Sequence, residues 1–121
     1  MIITEAAKIG DLLDLVHDYW FNVEKVTLDR RSKSVTFQVE PFRDALEQGS
    51  PSGITVTVKH VDDLNIKDTE RVRDYDINEI TFDPTTRSIM ITGGIPIEII
   101  LRVSALEIQA SPISESHWGH I

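Results

Sequence analysis

Asp14, His17 and Asp18 are the side chains whose types and spacing come nearest to a reactive set. On one helix they would stand at i, i+3 and i+4, where two carboxylates and an imidazole can meet a divalent cation and support hydrolysis. The same spacing describes an ordinary polar helix face, with His17 bonding a backbone carbonyl near the helix end. Both readings are open from the sequence. A second group is acidic: the stretch from Asp62 to Asp83 carries −5 of the total formal charge of −8. Asp62, Asp63, Asp74 and Asp76 are the expected contacts for a basic protein partner, steered inward by that charge. Charges of this kind also solubilise a chain and blunt an edge strand.

Other chemistry is weakly signalled. His117 and His120 have a helical metal spacing interrupted by Gly119, and Asp62, Asp63, Asn65 and Asp68 imitate a calcium loop without its glycine and terminal glutamate. There is no nucleophile elbow or phosphate loop, and Gly93-Gly94 lacks the rest of a dinucleotide fingerprint. Cysteine is absent, which removes disulfides, thiolate metal sites and a Cys nucleophile. These motifs give enzymatic activity no support and no cofactor is expected; a metal-binding or hydrolytic protein using Asp14, His17 and Asp18 is the alternative to a binding module.

The run Leu15-Val16-His17-Asp18-Tyr19-Trp20-Phe21 leads into Val26-Thr27-Leu28-Asp29 and a return strand Ser34-Val35-Thr36-Phe37. It resembles the His-Asp opening of small bacterial all-β proteins, some of them similar to the immunity proteins of toxin systems. The resemblance covers about the first 40 residues. It implies a non-enzymatic binding role in which His17 and Asp18 are the shared positions.

The elements that must position these residues are organised around an internal repeat. Phe21 to Gln38 and Tyr75 to Thr92 align without a gap at an offset of 54 residues, pairing Val26 with Ile80, Leu28 with Phe82, Asp29 with Asp83, Lys33 with Arg87 and Phe37 with Ile91. Each copy reads as strand, polar turn, strand, so one hairpin is used twice. The apolar parity changes once in each copy, from odd at Phe21 and Val23 to even at Val26 and Leu28. A strand has period two, so the extra residue is expected either in a β-bulge near Glu24-Lys25 and Asn78-Glu79 or before the strand begins.

Upstream, Ile9, Leu12, Leu13, Val16 and Trp20 form one apolar stripe, predicting a helix from about Thr4 to Asp18, with Asp11 as an alternative start. The aromatics Tyr19, Trp20 and Phe21 anchor helix to sheet or offer a ligand platform. Glu40 to Gly53 reads as a loop in which Phe42, Ala45 and Leu46 suit a single helical turn. Ile54 to Val58 alternates as a half-buried strand, and Ile95 to Val103 as another, with Pro96 at its start or on an edge.

The fold expected is therefore α+β and mostly β: an N-terminal helix followed by about six or seven antiparallel strands in two related hairpin-containing halves, as a sandwich or strongly bent sheet. One domain is expected over 1–121, divided as helix 1–20, first half 21–61, second half 72–109 and tail 110–121. Trp20, Leu28, Phe37, Val56, Ile80, Phe82, Ile91, Ile99 and Leu101 are the predicted core. A net charge of −8 disfavours nucleic acid and anionic membranes as partners. The opening MIITEAAKIGDLLDLV is interrupted by Glu5, Lys8, Asp11 and Asp14, so it has no signal-peptide core, and a soluble cytoplasmic protein is expected.

Overall fold

The apolar spacing of Ile9, Leu12 and Val16 folds as the helix α1 (Ile9–Val16), with all three side chains buried. The computed structural model describes residues 1–46 and 52–113. Of the expected tail over 110–121, residues 110–112 are instead the end of a paired strand, and 114–121, with His117 and His120, lie outside the described residues, as does part of the loop between Glu40 and Gly53. A short strand, β1 (Ile2–Ile3), and a 3-10 turn (Ala6–Lys8) precede the helix, which is shorter than the apolar stripe suggests.

The strands that follow are β2 (Trp20–Asn22), β3 (Leu28–Asp29), β4 (Ser34–Val39), β5 (Ile54–Val58), β6 (Val61–Lys67), β7 (Asp74–Asp76), β8 (Glu79–Asp83), β9 (Ser88–Thr92), β10 (Glu98–Val103) and β11 (Ile108–Pro112). The chain is α+β and mostly β, with antiparallel sheets that do not close. Its strands outnumber the six or seven expected because β1, β2, β3 and β7 are two or three residues long, too short to display a period of two. Pro96 stands just outside β10, where its missing N–H costs the ladder nothing.

Both hairpins use the same register. Leu28 opposes Val35 and Asp29 opposes Ser34 in the first; Phe82 opposes Ile89 and Asp83 opposes Ser88 in the second. Each loop closes on a left-handed residue, Lys33 with φ 53° and Arg87 with φ 55°. Asp29 Oδ1 accepts from the Arg31 N–H at 3.0 Å, and Asp83 Oδ1 accepts from the Thr85 N–H at 2.9 Å. The aspartate shared by the repeats is thus the residue that folds both turns.

The change of parity is not a bulge in either copy. After β2 the chain makes a 3-10 turn (Val23–Lys25), held by Asn22, whose side chain accepts from the Glu24 N–H at 2.9 Å. In the second copy Ile77 and Asn78 separate β7 from β8. In both, the strand stops and restarts, leaving Phe21, Val23 and Val26, and likewise Tyr75, Ile77 and Ile80, all buried.

The halves exchange strands. One sheet has the order β1-β11-β5-β4-β3 and the other β6-β10-β9-β8, so each holds three consecutive strands of one repeat and the strand that follows the other repeat's three, with β1 as a fifth at the edge of the first. The two crossings grip one another: the Lys59 N–H donates to the Glu107 carbonyl at 2.9 Å, and the Ser104 N–H to the His60 carbonyl at 3.0 Å. His60 Nε2 lies 3.1 Å from Glu107 Oε1, and this bond, with Lys59 nearby, holds the Glu107 carboxyl below its ordinary range.

The inner faces meet in a sandwich. Phe37, Val56, Val58 and Ile108 of one sheet and Ile80, Ile89 and Ile91 of the other line the same small internal void, which Leu12 and Val16 of α1 and Ile77 also border. Of the predicted core, Phe37, Val56, Ile80, Ile91, Ile99 and Leu101 are buried, whereas Trp20, Leu28 and Phe82 are only half-buried. Trp20 alternates with Phe21 along β2, and it is Phe21 that turns inward. Leu28 and Phe82 sit at the hairpin ends on edge strands, where cover is incomplete.

Candidate functional site

Asp14, His17 and Asp18 do not share one helix, as the metal-binding alternative requires. The helix ends at Val16; His17 leaves it with ψ 133° and Asp18 is left-handed with φ 66°. The reason is a strand contact: the Asp18 N–H donates to the Ile77 carbonyl at 2.8 Å and the Ile77 N–H to the Tyr19 carbonyl at 2.8 Å, pulling the chain off the helix axis. His17 Nδ1 and Asp18 Oδ2 are 3.3 Å apart as exposed sequence neighbours. Among the described residues no three His, Asp or Glu side chains converge in a way that could hold a metal ion.

The four acids proposed as a docking face are divided. Asp62 and Asp63 are exposed, with Asp62 Oδ1 3.8 Å from Lys33 Nζ. Asp74 is only 3% exposed, and its carboxylate accepts from Arg73 Nε at 2.9 Å and Arg43 Nε at 3.3 Å. The bond from Arg73, joined by Arg43, outweighs the cost of burial and holds the Asp74 carboxyl below its ordinary range. Asp76 accepts from the Gly94 N–H at 3.2 Å and the Ile95 N–H at 2.9 Å. A Cβ at Gly94 would approach Asp76 Oδ2 at 2.5 Å, so a side chain there would displace the carboxylate from these amides. Asp74 and Asp76 therefore both serve the fold, the first buried and the second half-buried. The pairing of Asp76 with Gly93-Gly94 was the available signal, since a glycine turn leaves amides for a carboxylate to collect.

What the fold does assemble lies on the ribbon formed by β2 and β7. Trp20 opposes Asp76, Phe21 opposes Tyr75 and Asn22 opposes Asp74. Phe21 and Tyr75 point into the core, so Trp20, Asn22, Asp74 and Asp76 share the outer face. A 3-10 turn (Arg43–Leu46) packs on β2 and brings the Arg43 guanidinium over the Trp20 ring, 5.8 Å from its centroid. Arg43 thus bridges an aromatic face and a buried carboxylate, and it holds the turn against the ribbon. Beside it in the chain Phe42 is 71% exposed, and Val72, just before β7, is also exposed.

A groove adjoins this face, lined by Asn22, Lys25, Thr36, Gln38, Glu40, Leu46 and Thr55. Glu40 is 1% exposed, and its backbone bonds Trp20 in both directions, at 2.7 and 2.9 Å. Gly53 lets the chain pass over it: a Cβ there would collide with the Glu40 carboxylate and the Ile113 side chain. The groove offers amide, hydroxyl and ammonium groups for hydrogen bonding.

The sequence located the helical turn around Phe42 to Leu46 but gave no means of seeing that Arg43 stacks on Trp20, because the contact joins positions on two separate elements. Comparison with known proteins finds no family model, no curated protein and no solved structure that matches the chain.

Proposed function

We propose that this chain is a non-enzymatic protein-binding module whose partner is a basic protein, engaged through the outer face of the β2–β7 ribbon. The observation that carries this reading is Phe42, a large aromatic side chain 71% exposed beside an arginine stacked on tryptophan. Tryptophan, arginine and other aromatic side chains contribute most of the binding free energy at protein interfaces, above all when water is excluded around them. An exposed phenylalanine gains that free energy on contact. The formal charge of −8 favours encounter with a cationic surface and repels phosphate polymers. An inhibitor-like or immunity-like role accords with the resemblance of the Leu15 to Phe21 run, whose His17 and Asp18 side chains are 48% and 76% exposed.

No helix among the described residues is long and apolar enough to cross a membrane. The test is affinity capture from the native cell with the wild-type chain and with Phe42→Ala in parallel. A basic protein retained by the first and lost by the second supports the reading. A partner set unchanged by the substitution contradicts it.

A further inference from the structure

The strand exchange leaves the two sheets unequal at one edge. In the repeat Val35 is equivalent to Ile89; Val35 opposes Val58 and Ile89 opposes Leu101, and beyond them Val58 opposes Ile108 and Leu101 opposes Leu64. Leu64 of β6 is therefore the counterpart of Ile108 of β11. The free side of β11 is covered by β1, with Ile3 opposite Ile108 and Ile2 opposite Gln109, and there Ile108 is 1% and Ala110 4% exposed. Only the N-terminal end of β6 is covered on its free side, where the Val61 N–H donates to the Lys33 carbonyl at 2.8 Å; from Asp63 to Lys67 no strand among the described residues pairs with it, and β6 ends its sheet. The matching side chains Leu64 and Ile66 face inward yet remain only half-buried.

Edge strands of this kind are usually blunted. In β6 the device is at the N-terminal end: Asp63 opposes Arg102 and Val61 opposes Val103, so Asp62 bulges out without a partner on β10. From Asp63 to Lys67 the edge is regular and contains no proline.

We propose that the free edge of β6 pairs with β6 of a second copy of this chain, antiparallel, with Asn65 on the twofold axis. The register is chosen by the side chains. Centred on Asn65, Leu64 of each copy faces Ile66 of the other, which completes an apolar row running Ile99, Ile66, the partner's Leu64, the partner's Leu101. On the opposite face Asp63 meets the partner's Lys67. Within one copy Lys67 Nζ already lies 3.7 Å from Glu98 Oε2 and Asp63 opposes Arg102. The row Glu98, Lys67, the partner's Asp63, the partner's Arg102 therefore alternates in sign across the seam. Such a contact is isologous, as a closed dimer requires, and opposite charges directly across antiparallel strands favour it. It joins two four-stranded sheets into one and leaves the β2–β7 ribbon of each copy free.

The experiment is sedimentation equilibrium of the full chain from micromolar to millimolar concentration, with hydrogen exchange on the β6 amides. A reversible dimer is expected, with β6 protection that rises with concentration. Asp63→Lys and Lys67→Asp should each weaken self-association at least tenfold, because each sets like charges opposite one another twice. Mixing the two variants should restore a dimer, since opposite charges then meet at both pairs. Melting temperatures close to wild type would show that both variants are folded; Ile66→Pro, which removes an N–H that alternation along β6 turns away from β10 and toward the partner, serves as an independent disruption. A monomer throughout the range overturns the proposal. So does a dimer indifferent to both charge reversals, which would be held by another face, and so does a mixture that stays monomeric. An edge that takes an added extended peptide while the chain remains monomeric overturns it in favour of a foreign strand.

Discussion

Phe21 and Tyr75 oppose each other across the β2–β7 ribbon, with ring centroids 6.2 Å apart, and they are the same position of the repeated unit. Antiparallel pairing of equivalent residues is what an approximate twofold between the halves requires, and the exchanged strands β6 and β11 obey the same symmetry. Phe21 also touches Phe37, with centroids 5.8 Å apart, so the seam between halves is continuous with the core. Phe21→Ala should cost about 3 to 5 kcal/mol. Denaturant titration checks it, and a loss below about 1 kcal/mol would show that the seam is not central to the fold.

Tyr75 supplies an alkaline signature. Burial, with the hydroxyl bonded to Asp68, raises its pKa above the ordinary 10.0. In the folded chain the neutral phenol is favoured, so this stabilisation is complete below the unfolded pKa and is lost as pH rises through the folded value. Tyr75→Phe should cost about 1 to 2 kcal/mol at neutral pH through the missing hydrogen bond. Above pH 10 the gap between variant and wild type should narrow, as thermal melts across that range will show.

Asp74 acts at the other end of the scale. Its carboxyl is held below the ordinary 3.8, chiefly by Arg73, so the stabilisation is present above the unfolded pKa and lost as pH falls through the folded one. Asp74→Asn should therefore destabilise the protein at pH 7 and flatten its loss of stability below about pH 4, where wild type itself forfeits the pair. Parallel acid titrations followed by circular dichroism would reveal an unchanged acid limb if the ion pair were unimportant.

Arg43 is expected to matter more for surface order than for global stability. Its side chain is 61% exposed, so its pair with Asp74 is screened, and Arg43→Ala should change stability by about 1 kcal/mol or less. Trp20, however, loses its cover. In a Trp118→Phe background, which leaves Trp20 as the one tryptophan, the emission should shift to the red and acrylamide quenching should increase. Unaltered quenching would mean that the stacked arrangement is not held in solution.

The hairpins were legible because their information is local: Asp29 and Asp83 fold their turns through amides two residues away, and apolar parity marks the strands. The helix was legible in its stripe, though its end was not, since a bond from the Asp18 amide to the distant Ile77 carbonyl terminates it. The same limit hid the surroundings of the candidate residues. Asp74 and Asp76 belong to an acidic run in the sequence, but Arg43 and the Gly94 and Ile95 amides that neutralise or satisfy them arrive from other elements. Strand exchange is invisible for that reason too, because nothing local tells β6 that its neighbour is β10.

The most direct test is the affinity of the captured partner for the wild-type chain, Phe42→Ala and Asp62→Asn, each at low and high salt. Phe42→Ala should weaken binding at least tenfold, about 1.4 kcal/mol, at both salt concentrations, because it removes apolar contact. Asp62→Asn should act mainly on the association rate at low salt. Equal affinity of Phe42→Ala and wild type, with no dependence on salt, would contradict the ribbon face as the docking site and the basic character of its partner together.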